Sequence, residues 1–225
     1  MKTLGLLAVG QSPRTDYVPV ISSFTGPSVR IVEKGVLDGL DRAQMSALAP
    51  LSPQEHPVVT RLADGSSVTM SKAEMSGIVN DKLREFARSG VDLAVLMCTG
   101  DFQGIVCPEG LHMLYGKDII DGCVRAAVPA GSRLGVLVPL ASQEAFSGRK
   151  FFDMGYDAVT AHASPYGSME EIEKAASAFR GCFAVILHCM GYVRRHRKAV
   201  AEISGAMVLE ANALVGHVCS ELLSS

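Results

Sequence analysis

The chain has 225 residues, of which 48% are hydrophobic and 20% charged, so it can build a folded core and does not read as disordered. Its 21 basic and 23 acidic residues leave a formal charge of -2, which together with the absence of Trp argues against nucleic acid or an anionic lipid surface as a partner. The longest apolar runs, 91–97 and 134–141, fall far short of the roughly 20 residues that cross a bilayer, so no membrane partner is expected.

In chain order, MKTLGLLAVG is an apolar run that breaks at Gln11-Ser12-Pro13-Arg14. It lacks the length and cleavage pattern of a secretory leader and reads as the first strand, Thr3 to Val9. A helix at Arg14 to Phe24 and a strand at Val29 to Lys34 follow. Residues 58–70, VVTRLADGSSVTM, form two alternating runs around Asp64-Gly65 and predict an inserted β-hairpin. Next come a helix at Ser71 to Arg88, a strand at Leu93 to Cys98 and a helix at Pro108 to Val128. A strand at Leu134 to Val138, a helix at Ser142 to Met154 and a strand at Ala158 to His162 continue the alternation. The chain closes with a helix at Ser168 to Phe179, a strand at Phe183 to Cys189, and helices at Tyr192 to Ile203 and Glu210 to Leu223. Ser71 with Glu74 and Ser168 with Glu171 have capping-box spacing. Strands alternating with helices predict an α/β fold with mainly parallel sheets.

A weak internal repeat organises these elements. LGLLAVGQS at 4–12 resembles LGVLVPLASQ at 134–143, and VDLAVLMCTG at 91–100 resembles CFAVILHCMG at 182–191. We therefore expect two pseudo-symmetric parallel-sheet halves: residues 1–115 completed by 206–225, and residues 116–205. Parallel sheets bind ligands at the carboxyl ends of their strands. Each half would thus aim one cysteine, Cys98 or Cys189, at a common cleft.

A thiol followed by a Gly turn can be stabilised as thiolate by backbone N–H groups. Two such thiols can remove a proton from one face of a carbon and return one to the other, the logic of a cofactor-independent racemase. Burial in the core is the alternative for either cysteine. Gln11, Ser12 and Arg14 follow the first strand and can offer donors to a carboxylate or phosphate, or can simply cap a helix. Ser164 and Tyr166 in ASPYG can supply hydroxyls or form a plain turn. The hairpin, with Thr60 and Arg61, can fold over the site, reach a partner subunit, or stay solvated.

Other chemistry is less well supplied. No GxGxxG or GxxxxGK[ST] run and no His/Cys zinc spacing occurs, so neither a cofactor nor a metal is implied. His188 adjoins Cys189 but would point to the other face of the strand. Cys107, Cys123, Cys182 and Cys219 lack the strand-end setting and are assigned to packing. With no CxxC pair, the six cysteines suit a reducing cytoplasm.

GQSPRTD at 10–16, GVLDGL at 35–40, TRLADG at 60–65, CTGDF at 98–102, SPYGS at 164–168 and CMGY at 189–192 together resemble the AroM protein family along essentially the whole chain. That family is similar to the aspartate/glutamate/hydantoin racemase superfamily. The resemblance implies an Asp/Glu racemase-like fold, with Cys98 and Cys189 as acid and base. It also implies that Gln11, Ser12, Thr99, Gly100, Met190 and Gly191 hold a substrate carboxylate, with Tyr192 closing the second motif. Met190 departs from the Asn or Thr usual after the superfamily cysteines and cannot donate a hydrogen bond.

Three functions follow as expectations. The first is a racemase or isomerase, or a decarboxylase using the same parts, acting next to a carboxylate. The second is a non-catalytic binding protein for a small carboxylate or phosphate-bearing molecule. The third is a homo-oligomer subunit whose hairpin serves in assembly.

Overall fold

The computed structural model describes residues 1–52 and 57–224. The chain divides into two compact units, Met1–Ile119 with Val215–Ser225, and Ile120–Leu214.

In the first unit β1 (Lys2–Ala8) leads to α1 (Val18–Thr25), β2 (Val29–Gly35) and a short α2 (Arg42–Ala47). The hairpin follows as β3 (Val58–Arg61) and β4 (Ser67–Met70), paired antiparallel with Thr60 opposite Val68. Then come α3 (Lys72–Arg88), β5 (Leu93–Met97), β6 (His112–Tyr115) and α4 (Gly116–Ala127). The sheet is wholly parallel in the order β2-β1-β5-β6. Amphipathic α3 covers it by burying Met75, Val79, Leu83 and Phe86, positions that share one helical face. Each such side chain contributes about 1.5–3 kcal/mol of burial. Its N-cap, Ser71, accepts from the Glu74 N–H at 3.5 Å.

The second unit repeats the plan. It contains β7 (Arg133–Val138), α5 (Glu144–Asp153), β8 (Asp157–His162), α6 (Met169–Ala176), β9 (Ala184–Leu187), α7 (Arg194–Ser204) and β10 (Met207–Glu210), with α8 (Ala211–Leu223) running out of it. Its parallel sheet has the order β10-β9-β7-β8. Numbered within each sheet, both read second-first-third-fourth.

The repeat extends to packing. Gly5 in β1 and Gly135 in β7 occupy matching places, and each lies under an aromatic ring. A Cβ on Gly5 would stand 3.2 Å from Phe86, and one on Gly135 only 2.7 Å from Phe179. Glycine here lets the ring lie flat on the strand, which any side chain would prevent.

Besides strand ends that stop short of Cys98 and Cys189, the structure departs from the sequence reading in four places. Residues Arg14 to Tyr17 form no helix; α1 starts at Val18, with Pro19 in its first turn and an ion pair holding the preceding turn. The helix expected over 108–128 starts only at Gly116, because Pro108 and Gly110, whose φ is 77°, turn the chain into β6, which pairs with β5. The last helix is preceded by β10, which pairs with β9. The short helix α2, closed by a capping box between Asp41 and Gln44, was not foreseen. The parallel α/β architecture and the hairpin are as expected.

Candidate active site

In the order second-first-third-fourth, neighbouring strands one and three carry their connections to opposite sides, and the crevice at their carboxyl ends is where open α/β sheets bind ligands. In the first unit these are β1 and β5, followed by Gln11-Ser12 and by Cys98. In the second they are β7 and β9, the latter followed by Cys189.

The two thiols share a local geometry. The strands stop at Met97 and Leu187, so the cysteines sit just beyond them rather than within them. Each cysteine N–H donates to the carbonyl two residues back, Cys98 to Leu96 and Cys189 to Leu187, both at 2.9 Å. Each sulfur accepts from the glycine two residues on: Gly100 N–H at 3.3 Å and Gly191 N–H at 3.5 Å. A backbone N–H aimed at sulfur is a donor for thiolate charge. Cys98 is 8% exposed and Cys189 half-buried. Burial raises Cys123 and Cys182, and pushes Cys219 up to about 12, as suits packing thiols, whereas Cys107, also assigned to packing, is exposed.

Around Cys98 the first unit gathers the β1 turn, the loop after β2 and the hairpin. Asp38 accepts from Ser12 N–H at 2.8 Å, Ser12 Oγ–H at 2.6 Å and Gly35 N–H at 2.7 Å. Gly35 must be glycine, since a Cβ there would lie 2.5 Å from the Asp38 carboxylate and 2.7 Å from Ser12 N. Gln11 ties this turn to the hairpin: its N–H donates to Arg61 O at 3.1 Å and its Oε1 accepts from Ala63 N–H at 2.8 Å. Gly100 is hemmed in by Cys98 Sγ, Val58 and the stem of Lys72, all within 3.4 Å of where its Cβ would be. Arg14 is buried, and its guanidinium forks onto Asp16 at 3.0 and 2.6 Å while stacking 4.5 Å from the Tyr17 ring.

Around Cys189 the loop is pinned from both sides. Asn212 Nδ2 donates to Met190 O at 3.0 Å and to Tyr192 O at 2.7 Å. Tyr192, wholly buried, donates its hydroxyl to Ala163 O at 2.7 Å, and burial holds its pKa well above the usual 10. Gly191 packs on Tyr166, whose hydroxyl would stand 2.6 Å from a Cβ there. Ser164 Oγ accepts from Tyr166 N–H at 3.2 Å. Ser164 also opens onto a groove of about 580 Å³ shared with Thr160, Lys174 and the hydrogen-bonded Glu144 and His162 side chains. His188 is buried edge-on to Phe151, with ring centroids 5.4 Å apart.

The sequence-predicted residues thus assemble within each unit: Gln11, Ser12, Thr99 and Gly100 belong to the strand ends beside Cys98, and Ser164, Tyr166, Met190, Gly191 and Tyr192 to the loops beside Cys189. Asp38 and Asn212, which fix the two loops, are not among the sequence-predicted site residues. The signal for Asp38 lay in the GVLDGL motif, whereas Asn212 stood unmarked in a helix.

The profile of the AroM protein family matches residues 4–223. The chain belongs to the AroM family. Comparison with curated proteins gives no match. Among solved structures, the maleate isomerase Iso from Pseudomonas putida superposes on this AroM protein with a TM-score of 0.66 at 11% identity, covering 99% of this chain and 93% of that one. Arylmalonate decarboxylase gives 0.59 at 13% identity, over 99% and 92%. The aspartate racemase from Picrophilus torridus gives 0.59 at 14%, over 98% and 94%. At such identities the likeness establishes the fold, which is that of the aspartate and glutamate racemases. Among the described residues, no helix of this AroM protein is long and apolar enough to cross a membrane.

Proposed function

We propose that this AroM protein is a racemase- or isomerase-like enzyme that acts, without a cofactor, on the carbon next to a carboxylate of a small acid. The observation that carries the reading is the matched pair of thiol loops, each at the third strand's carboxyl end with a glycine N–H on its sulfur. One thiolate takes the α-proton as the C–H bond breaks, and the electron pair spreads into the carboxylate as an enediolate. The other thiol protonates the carbon on its other face and is left as thiolate. Cys98 and Cys189 fill these roles. Decarboxylation would use one thiol: the bond to CO2 breaks, and the thiol protonates the carbanion.

The carbanion demands N–H and O–H donors at the developing oxyanion. Gln11, Thr99 and Gly100 on one side, and Ser164, Tyr166 and the backbone at Met190 and Gly191 on the other, are the groups we assign to substrate. Arg14 and Tyr192 act from behind, because Asp16 and Ala163 O already engage them. Ser12 positions the turn through Asp38.

Incubation with aspartate, glutamate or phenylmalonate in deuterated water tests the reading. Solvent deuterium should enter the α-carbon of aspartate or glutamate, with Cys98→Ser and Cys189→Ser each abolishing it, or the α-carbon of the phenylmalonate product, where one of the two substitutions should abolish it. A non-catalytic acid-binding protein is the second reading, favoured by Met190, whose buried thioether offers no donor. It requires ligand-induced thermal stabilisation that survives both substitutions, with no exchange.

A further inference from the structure

We propose that the Thr60 hydroxyl, on the inner face of the hairpin, donates a hydrogen bond to the substrate carboxylate. The inference rests on the function proposed above and adds a residue to it. In β3 the side chains alternate: Val58 and Thr60 are buried, at 7% and 1% exposure, while Val59 and Arg61 are half-buried. The buried pair spans the carboxyl ends of β5 and β1, where open α/β sheets bind ligands. Val58 lies 3.4 Å from the point where a Gly100 Cβ would stand, the same distance as Cys98 Sγ. Two residues on, Thr60 Oγ1 lies 2.4 Å from the corresponding point at Gly10, directly after β1. The hairpin is held in this register by the bonds from Gln11 N–H to Arg61 O and from Ala63 N–H to Gln11 Oε1.

Thr60 Oγ1 has no hydrogen-bond partner among the described residues, although its surroundings exclude water. An unpaired buried hydroxyl costs stability, and valine, which has the same shape, would remove that cost. The other hydroxyl at this turn cannot serve a carboxylate. Ser12 Oγ–H is committed to Asp38 at 2.6 Å, which leaves Ser12 only lone pairs, and lone pairs repel an anion. Among the described residues the buried Thr60 hydroxyl has no acceptor for its proton. A carboxylate oxygen brought to the carboxyl ends of β1 and β5 would supply that acceptor and complete the bond.

The test compares Thr60→Val and Thr60→Ser with wild type in the full chain. Titration calorimetry with phenylmalonate, maleate and aspartate identifies an acid that the wild type binds. We expect Thr60→Val to weaken its binding about tenfold and Thr60→Ser to keep binding close to wild type. The ligand-free Tm of Thr60→Val should equal or exceed the wild-type value. Undiminished binding by Thr60→Val, or a ligand-free Tm several degrees lower, overturns the assignment of Thr60 alone. If the wild type binds none of the three acids, the proposed function fails, and the role of Thr60 falls with it.

Discussion

Asp38 grips Ser12 twice, accepting its backbone N–H at 2.8 Å on one carboxylate oxygen and its hydroxyl at 2.6 Å on the other. With the Gly35 N–H as a third donor, this carboxylate shapes the turn after β1. Asp38→Ala would leave these partly buried donors to water, at about 0.5–1.5 kcal/mol per lost bond. We expect urea denaturation to show a loss in that range, with at least tenfold lower deuterium exchange because the turn no longer presents Gln11 correctly.

The paired glycines under Phe86 and Phe179 predict an ordered effect. A methyl at Gly135 would meet the Phe179 ring at 2.7 Å, whereas one at Gly5 meets Phe86 at 3.2 Å and Val91 at 3.0 Å. Overpacking of this kind costs about 1–3 kcal/mol. Denaturant titration should show Gly135→Ala destabilised more than Gly5→Ala.

His196 sets an acid limit on stability. Val193 N–H donates to its Nδ1 at 3.0 Å, which requires the neutral ring, and burial with Arg195 beside it lowers the pKa from 6.5 to about 4. The unfolded chain therefore binds this proton more readily, so the stability contributed by neutral His196 is complete above pH 6.5 and is lost as pH falls toward 4. His196→Gln, which keeps an acceptor but does not titrate, should flatten the Tm profile across that window.

Glu210 acts in the opposite direction. It is 3% exposed at the end of β10, neither carboxylate oxygen has a hydrogen-bond partner among the described residues, and burial raises its pKa above 4.5 against the pull of Arg194 and Arg197. Its protonated form favours the folded state, a contribution present below pH 4.5 and lost as pH rises through the raised value. Glu210→Gln should therefore raise Tm at pH 7 and above, with the gain vanishing near pH 4. Differential scanning at a series of pH values checks both effects.

What the sequence reveals follows from the range of the forces involved. Continuous apolar runs mark β1, β5 and β7, which are buried on both faces, and helical periodicity marks α3, which buries one. The two Cys-Xaa-Gly endings stand out because a repeat places them jointly. His112–Tyr115 is hidden because four residues of mixed character next to a long helical pattern carry almost no period, and only pairing with β5 makes them a strand. Asp38, Asn212 and the inward turn of Thr60 are long-range facts: Asp38 and Asn212 bond to residues 26 and 22 positions away, and Thr60 packs against Gly10 at the end of β1. Arg14 shows the converse, a residue whose type suggests a ligand clamp and whose neighbour Asp16 claims it.

Proton exchange at the α-carbon reports on the two thiols most directly. Deuterium uptake by a small carboxylic acid in heavy water, followed by NMR for wild type, Cys98→Ser and Cys189→Ser, should show turnover only in the wild type. Equal uptake in all three proteins would contradict a role for these sulfurs in moving the proton.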